Sequence, residues 1–114
     1  MGTTQLGFQP EYQEETITSS EVSELQGLTL LEFGAPWCPH CQLGSELVKT
    51  AFSEHSQYSA LRHIKVFDGK GKRLGRAFKV KLWPTLILLQ DGNEIVRLVR
   101  PTELSAVQQL LCAK

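Results

Sequence analysis

The chain has 114 residues, equal numbers of acidic and basic side chains, 41% hydrophobic residues and 21% charged residues. This length predicts one domain with its own hydrophobic core, and the composition is ordinary for a globular protein. The sequence contains no run of eighteen apolar residues and no basic segment followed by an apolar one, so we expect no transmembrane helix and no signal peptide. A cytoplasmic protein without a membrane partner is therefore expected, or a periplasmic one if a signal sequence was removed.

The charges are unevenly distributed although they sum to zero. Residues 1–59 hold eight acidic residues and one lysine, whereas residues 60–114 hold eleven basic and four acidic residues. The densest basic stretch, Lys65 to Lys81, is typical of a solvated face, and the alternative is a patch that steers an acidic partner. Aromatic residues are not interleaved with these charges in the way that base stacking requires, so no nucleic acid partner is expected.

Apolar periodicity and turn-forming residues predict alternating helices and strands. Thr18 and Glu21 fit a capping box, which marks the start of a helix. In the first half of the chain we expect a loose tail over 1–15, a short strand near Thr16 to Thr18, a helix from Ser19 to Gln26, a strand from Leu28 to Phe33 and a helix from Cys38 to about His55. In the second half we expect a strand from Ala60 to Phe67, a short helix around Leu74 to Phe78, a hairpin of Thr85 to Gln90 with Glu94 to Val99, and a last helix through Leu111. One α/β domain over 16–114 with a mixed sheet follows from this pattern.

Two cysteines, Cys38 and Cys41, stand where the first buried strand ends and the long helix begins. A cysteine attacks only as its thiolate, and the free N–H groups and partial positive charge of a helix N-terminus stabilise an anion. Pro39 suits the first helical position because it lacks an N–H. Cys38 is therefore the expected nucleophile, and Cys41, about one turn further along, is the expected resolving thiol.

Other interpretations of this cysteine pair are a structural disulfide, half of a zinc site or core thiols. A zinc site needs more ligands, and only Cys112 remains, with His55 and His63 at unsuitable spacings, so no metal site is expected. Cys112 is expected to be a buried or fraying apolar side chain of the last helix. The glycines and lysines between residues 69 and 75 do not have the spacing of a phosphate-binding loop.

Glu32 lies inside an apolar run, where an unpaired carboxylate is costly. Desolvation favours the protonated form of such a group, which makes Glu32 a candidate proton acceptor for Cys41 during thiol exchange. The alternative is an exposed glutamate at a sheet edge.

The segment Trp37-Cys38-Pro39-His40-Cys41 resembles the active-site signature of the thioredoxin family, an aromatic residue followed by Cys-x-x-Cys after a strand. Three further features agree with the family pattern. Glu32 lies six residues before the first cysteine, Pro84 and Thr85 stand about forty residues after the cysteines and precede an apolar strand, and a turn glycine opens the last hairpin. The resemblance covers roughly Thr16 to Leu111. It implies the thioredoxin fold, a central mixed sheet flanked by helices on both faces.

The same resemblance implies a thiol–disulfide oxidoreductase that acts on protein disulfides and needs no cofactor beyond its dithiol. A recycling partner similar to thioredoxin reductase is also implied, and we expect a monomer. It further implies a cis bond before Pro84, so that Trp83, Pro84 and Thr85 hold an extended substrate. Trp83 is bulkier than the usual residue at its position, and Arg100 stands where the family has a glycine, which alters the expected docking surface.

The residues between and beside the cysteines bear on the direction of electron transfer. Trp37, Pro39 and His40 are the residues expected to tune the dithiol, and Pro-His between the cysteines is similar to the periplasmic dithiol oxidases, whose reduced form is stabilised. The rest of the chain has the size of a reducing thioredoxin and lacks the helical insertion of those oxidases. A reductase is favoured, and an oxidase and a thioredoxin-fold binding module without turnover stay open.

Overall fold

The computed structural model describes residues 6–113, in which helices alternate with strands. The helices are α1 (Ser19–Ser23), α2 (Pro39–Ser53), α3 (Arg73–Ala77) and α4 (Leu104–Cys112), and the strands are β1 (Leu28–Gly34), β2 (Arg62–Phe67), β3 (Thr85–Gln90) and β4 (Asn93–Val99). A 3₁₀ turn at Ser56–Ala60, which the sequence pattern did not predict, joins α2 to β2. Within the described residues, no helix has the length and apolar character that crossing a membrane requires.

The four strands form one mixed sheet in the order β2-β1-β3-β4. β1 pairs with β2 in parallel and with β3 in antiparallel orientation, and β3 pairs with β4 across the predicted turn at Asp91 and Gly92. Because β1 has a neighbour on each side, all its residues from Thr29 to Gly34 are buried. The carboxyl end of β1 therefore fixes the position from which the chain continues to α2.

Helices cover both faces of this sheet, as predicted. Alternate side chains of a strand point to opposite faces, and each face accordingly has its own apolar core. On one face, Leu30 of β1 packs with residues of α2 and α4 such as Val48 and Val107. On the other face, Leu31 packs with Val22 of α1 and with a residue of α3. The predicted α/β class and mixed sheet are confirmed.

The segment before α1 differs from the prediction. Leu6 and Gln13 each form a bridge with β2, and the N–H groups of Gly7 and Gln13 donate to main-chain oxygens at 2.8 and 2.9 Å. Residues 6–13 thus lie along the free edge of β2 instead of forming a loose tail, because an edge strand offers unpaired N–H and C=O groups. Residues 1–5 of the predicted tail lie outside the described part of the chain, and the domain boundary at residue 16 stays a prediction.

The strand expected near Thr16 to Thr18 does not form, since this stretch has no strand partner and instead buries Ile17 in the second core. The predicted capping box is present: Thr18 accepts from the Glu21 N–H at 3.1 Å, and Glu21 accepts from the Thr18 N–H at 2.9 Å. The helix that it begins ends at Ser23, earlier than the predicted Gln26.

Candidate functional site

Cys38 caps the N-terminus of α2. Its Sγ accepts a hydrogen bond from the Cys41 N–H at 3.3 Å, and Pro39 occupies the first helical position. The sulfur therefore lies at the positive end of the helix dipole, where a thiolate is stabilised. Cys38 is half-buried and forms no disulfide, so its sulfur can be reached from solvent.

Cys41 lies one turn into α2 and is fully buried. Burial, together with the adjacent Cys38, raises the pKa of the Cys41 thiol to about 12, so the proton stays on this sulfur at neutral pH. The two thiols thus differ in access to solvent, and Cys41 is the one whose ionisation is opposed by burial. A nucleophilic and a resolving cysteine need such an asymmetry, and the two roles stay predictions.

Glu32 is fully buried in β1, which excludes the exposed-edge alternative, and its carboxylate is not unpaired. Oε1 accepts a hydrogen bond from His63 Nε2 at 2.9 Å, and Oε2 accepts one from the Tyr12 hydroxyl at 3.1 Å. Burial by itself raises the pKa of Glu32, but the bond from His63, the charge of Lys65 and the bond from Tyr12 outweigh it, and the pKa is lowered. The expectation that desolvation keeps Glu32 protonated is therefore wrong, and the group is a carboxylate at neutral pH.

His63 is a site residue that the sequence did not reveal. The Gln9 N–H donates to His63 Nδ1 at 2.8 Å, so Nδ1 presents its lone pair and Nε2 carries the proton that it donates to Glu32. The ring is buried and packs on Phe8 and Phe52 at centroid distances of 5.6 and 5.3 Å. The signal in the sequence was the alternation of polar and apolar residues in β2. The structure adds that β2 pairs in register with β1, the strand that bears Glu32.

Lys65 belongs to this site and not to the basic surface stretch in which the sequence placed it. It is the register partner of Glu32 on β2 and is almost fully buried. Its Nζ donates to the Pro10 carbonyl at 3.0 Å and to Ser45 Oγ at 2.7 Å. Burial lowers the pKa of Lys65, and the nearby charge of Glu32 acts in the opposite direction.

The Trp83–Pro84 bond is cis, as predicted, and its loop packs against α2. A Cβ at Gly44 would lie only 2.8 Å from Pro84 Cγ, so a glycine allows the loop to approach the helix this closely. Gly44 follows Cys41 by three positions and therefore lies on the same face of α2. The buried Pro84 thus packs against the face of α2 that also carries Cys41.

The residues around Pro84 are held by side-chain hydrogen bonds. The Trp83 indole N–H donates to Asp68 Oδ2 at 2.9 Å, and Thr85 Oγ1 donates to the Leu82 carbonyl at 2.6 Å. Arg100 Nε donates to the Trp83 carbonyl at 2.9 Å. The carbonyl of Trp83, one of the residues expected to hold substrate, therefore already has a hydrogen-bond partner within the chain.

Large apolar side chains are exposed next to Cys38 in the chain, in the first turns of α2 and just before Trp83. Trp37 is 64% exposed and contacts Phe67 edge to face, and Leu43 and Leu82 are also large exposed apolar residues. Pro39 and His40 are exposed as well.

Cys112 is exposed at the end of α4 and not buried, and its Sγ lies 3.7 Å from the Tyr58 hydroxyl.

Comparison with known proteins identifies the family. The thioredoxin family model matches residues 10–113. The chain belongs to the thioredoxin family. Among solved structures, thioredoxin 2 from Pseudomonas aeruginosa PAO1 in its reduced form is 44% identical, with a TM-score of 0.77 over 88% of this chain and 90% of that one.

Two curated relatives show how much of the sequence is shared. A thioredoxin from Chlamydia pneumoniae is 32% identical over 76 residues, which are 64% of this chain and 69% of that protein. A protein disulfide-isomerase from Datisca glomerata is 35% identical over 71 residues, which are 60% of this chain and 14% of that protein. The chain thus spans only a small part of the length of the isomerases that it matches.

Proposed function

We propose that this thioredoxin family member is a thiol–disulfide oxidoreductase that reduces disulfide bonds of protein substrates. The observation that carries the proposal is the asymmetry of the dithiol, with an accessible Cys38 at the N-terminus of α2 and a buried Cys41 one turn further along. The dithiol is itself the redox group, so the proposed reaction needs no further cofactor.

In the first step, the Cys38 thiolate attacks one sulfur of the substrate disulfide. A bond forms between Cys38 and that sulfur, the substrate S–S bond breaks, and the other substrate sulfur leaves as a thiolate that takes a proton from water. The helix N-terminus stabilises the attacking thiolate before this step. The exposed Trp37 and Leu82 offer apolar contact to the substrate chain near the disulfide.

In the second step, Cys41 loses its proton and attacks Cys38. The Cys38–Cys41 bond forms, the mixed disulfide breaks, and the second substrate sulfur leaves as a thiolate that also takes a proton from water. Two electrons have then passed from the dithiol to the substrate. Glu32, as a buried carboxylate, is the proposed acceptor of the Cys41 proton.

The proposal is tested by reduction of insulin with dithiothreitol as the electron source. Wild type is expected to accelerate precipitation of the insulin chains and Cys38→Ser to add nothing to the rate with dithiothreitol alone, whereas Cys41→Ser, pre-reduced and mixed with insulin after dithiothreitol is removed, should accumulate a mixed disulfide. Cys112→Ser is the matched control, because that sulfur lies at the far end of α4, and it should retain wild-type activity. Equal activity of wild type and Cys38→Ser would contradict the proposal and favour a binding module without turnover.

The direction is tested by the reduction potential of the Cys38–Cys41 pair. Thioredoxins lie near about −270 mV and the strongly oxidising DsbA near about −120 mV. A value near the first supports a reductase recycled by a protein similar to thioredoxin reductase, whereas a value near the second would establish the oxidase that the Pro39-His40 pair suggests. The cytoplasmic location and the monomeric state stay predictions.

A further inference from the structure

Tyr12 reaches the site from the N-terminal segment that lies along β2. Its backbone position is set by the adjacent Gln13, whose N–H donates to the Lys65 carbonyl at 2.9 Å and whose carbonyl accepts from the Phe67 N–H at 2.8 Å. The Tyr12 ring covers the Lys65 ammonium, which lies 4.6 Å from the ring centroid. From there the hydroxyl extends to Glu32 Oε2, 3.1 Å away.

The same hydroxyl faces the thiol of Cys41 across Gly34. A Cβ placed on Gly34 would lie 2.5 Å from Tyr12 Oη and 2.7 Å from Cys41 Sγ, so both atoms occupy the space that the missing side chain leaves. Each of these two groups also shifts the pKa of the other: the Cys41 thiol raises the pKa of Tyr12, and the Tyr12 hydroxyl lowers the pKa of Cys41. One hydroxyl therefore donates to the buried carboxylate and faces the resolving thiol.

We propose that Tyr12 transfers the proton of Cys41 to Glu32 during resolution of the mixed disulfide. This inference rests on the proposed function. As Cys41 attacks Cys38, its proton passes to Tyr12 Oη while the Tyr12 proton passes to Glu32 Oε2. The Cys38–Cys41 bond forms, the bond between Cys38 and the substrate sulfur breaks, and the electron pair leaves with the substrate thiolate. Tyr12 ends the step as it began, and Glu32 later releases the proton to water.

Each group has the properties that this transfer needs. Cys41 is buried and its pKa is raised, so it does not ionise spontaneously at neutral pH. The pKa of Tyr12 is raised by burial and by the charge of Glu32, so the hydroxyl keeps a proton to donate. Glu32 has a lowered pKa and is the ionised acceptor. Because a carboxylate of this kind holds a thiol proton only briefly, the transfer has to accompany the attack of Cys41 on Cys38.

Further titratable groups face Tyr12 and Glu32 from the neighbouring elements. β2 contributes His63 and Lys65, and α2 contributes Cys38 and Cys41. Glu11 and Glu46 act on the same group of charges through Lys65. Of these, only Glu32 combines an ionised oxygen with a hydrogen bond to Tyr12.

The test separates the two chemical steps with the chromogenic disulfide 5,5′-dithiobis(2-nitrobenzoate) in single-turnover stopped flow. Attack by Cys38 releases the first nitrothiobenzoate, and attack by Cys41 releases the second. Tyr12→Phe keeps the ring over Lys65 and removes only the hydroxyl. We expect its first phase to match wild type and its second phase to slow at least about tenfold, since positioned proton transfer contributes about 10²–10⁴-fold to rates.

The pH profile distinguishes proton transfer from a packing role. In Tyr12→Phe, Cys41 has to lose its proton to hydroxide, so the second-phase rate should rise about tenfold per pH unit, whereas wild type should be nearly flat around neutral pH. Glu32→Gln should slow the same phase, and the double variant should be no slower than the slower single variant. Tyr58→Phe, which removes a hydroxyl beside Cys112, is the matched control and should leave both phases unchanged.

A second phase in Tyr12→Phe within twofold of wild type, with the same pH profile, would overturn the transfer role. The transfer role would also be contradicted if the second phase of the double variant were slowed by the product of the two single effects, because two residues on one proton path cannot act independently. The absence of a first phase in wild type would instead contradict the proposed function itself.

Discussion

Glu32 would be a costly residue on a central strand if its carboxylate had no partners. Instead, His63, Tyr12 and Lys65 surround it with two hydrogen bonds and a positive charge. The charge of this residue therefore depends on three others, two of them from the neighbouring strand. Desolvation alone, the only effect that the sequence suggested, gives the wrong ionisation state.

Glu32→Gln should change how stability depends on pH. The pKa of Glu32 is lowered on folding from about 4.3, so the wild-type carboxylate stabilises the fold above that pH, and this contribution is lost as the pH falls through the lower folded pKa. Urea denaturation between pH 3 and 7 should therefore show a steeper acid loss of unfolding free energy in wild type than in Glu32→Gln. Glu15 and Glu94 also have lowered pKa values, but both residues are present in wild type and in Glu32→Gln, so their contributions cancel in the comparison. Parallel curves for the two proteins would contradict this assignment.

At the scale of elements, α2 and the loop before β3 meet at one close contact. Gly44 of α2 leaves the space into which Pro84 packs, and Arg100, directly after β4, holds the other side of the loop through the Trp83 carbonyl. The position of the loop therefore depends on a helix and on the end of a strand that are far apart in the sequence. The N-terminal segment acts as a further element, since it covers the edge of β2 and supplies Gln9 and Tyr12.

Gly44→Ala should disturb this contact. Alanine in a helix is favoured over glycine by about 1 kcal/mol, but here its Cβ would overlap Pro84, and overpacking costs about 1 to 3 kcal/mol. We expect a net loss of unfolding free energy in urea denaturation, together with slower insulin reduction because the loop shifts. Thr50→Ala, on the exposed side of α2, is the control for helix propensity and should not lower the reduction rate. A Gly44→Ala protein more stable than wild type would rule out the close contact.

For the whole molecule, the redox equilibrium and the folding equilibrium are linked. A dithiol protein is a strong oxidant when folding stabilises its reduced form, and a reductant in the opposite case. Cys38 Sγ accepts the Cys41 N–H at the N-terminus of α2, whereas burial raises the pKa of the Cys41 thiol and so opposes a charge on that sulfur in the reduced form.

We expect the oxidised protein to be more stable than the reduced one, in keeping with the proposed reductase. Urea denaturation of the two forms, the reduced form under excess dithiothreitol, measures this difference directly. A more stable reduced form would contradict the reductase and favour the oxidising alternative. Cys112→Ser should be used as the background, so that intermolecular disulfides through this exposed thiol do not contribute.

The sequence by itself determined what depends on near neighbours. The capping box at Thr18, the Cys38 N-cap and the buried strand that precedes it follow from residue types a few positions apart, and the signature around them sufficed to predict the fold. The cis bond before Pro84 was predicted by resemblance.

Tertiary structure alone decided the surroundings of the carboxylate. Tyr12 lies 20 positions from Glu32, His63 lies 31 positions from it, and Lys65 lies 55 positions from the carbonyl of Pro10 that accepts its hydrogen bond. Patterns of neighbouring residues cannot show such contacts, because hydrogen bonds and charge interactions depend on distances in space. The ionisation of Glu32, the burial of Lys65 and the role proposed for Tyr12 all arise when the N-terminal segment and β2 are brought against β1.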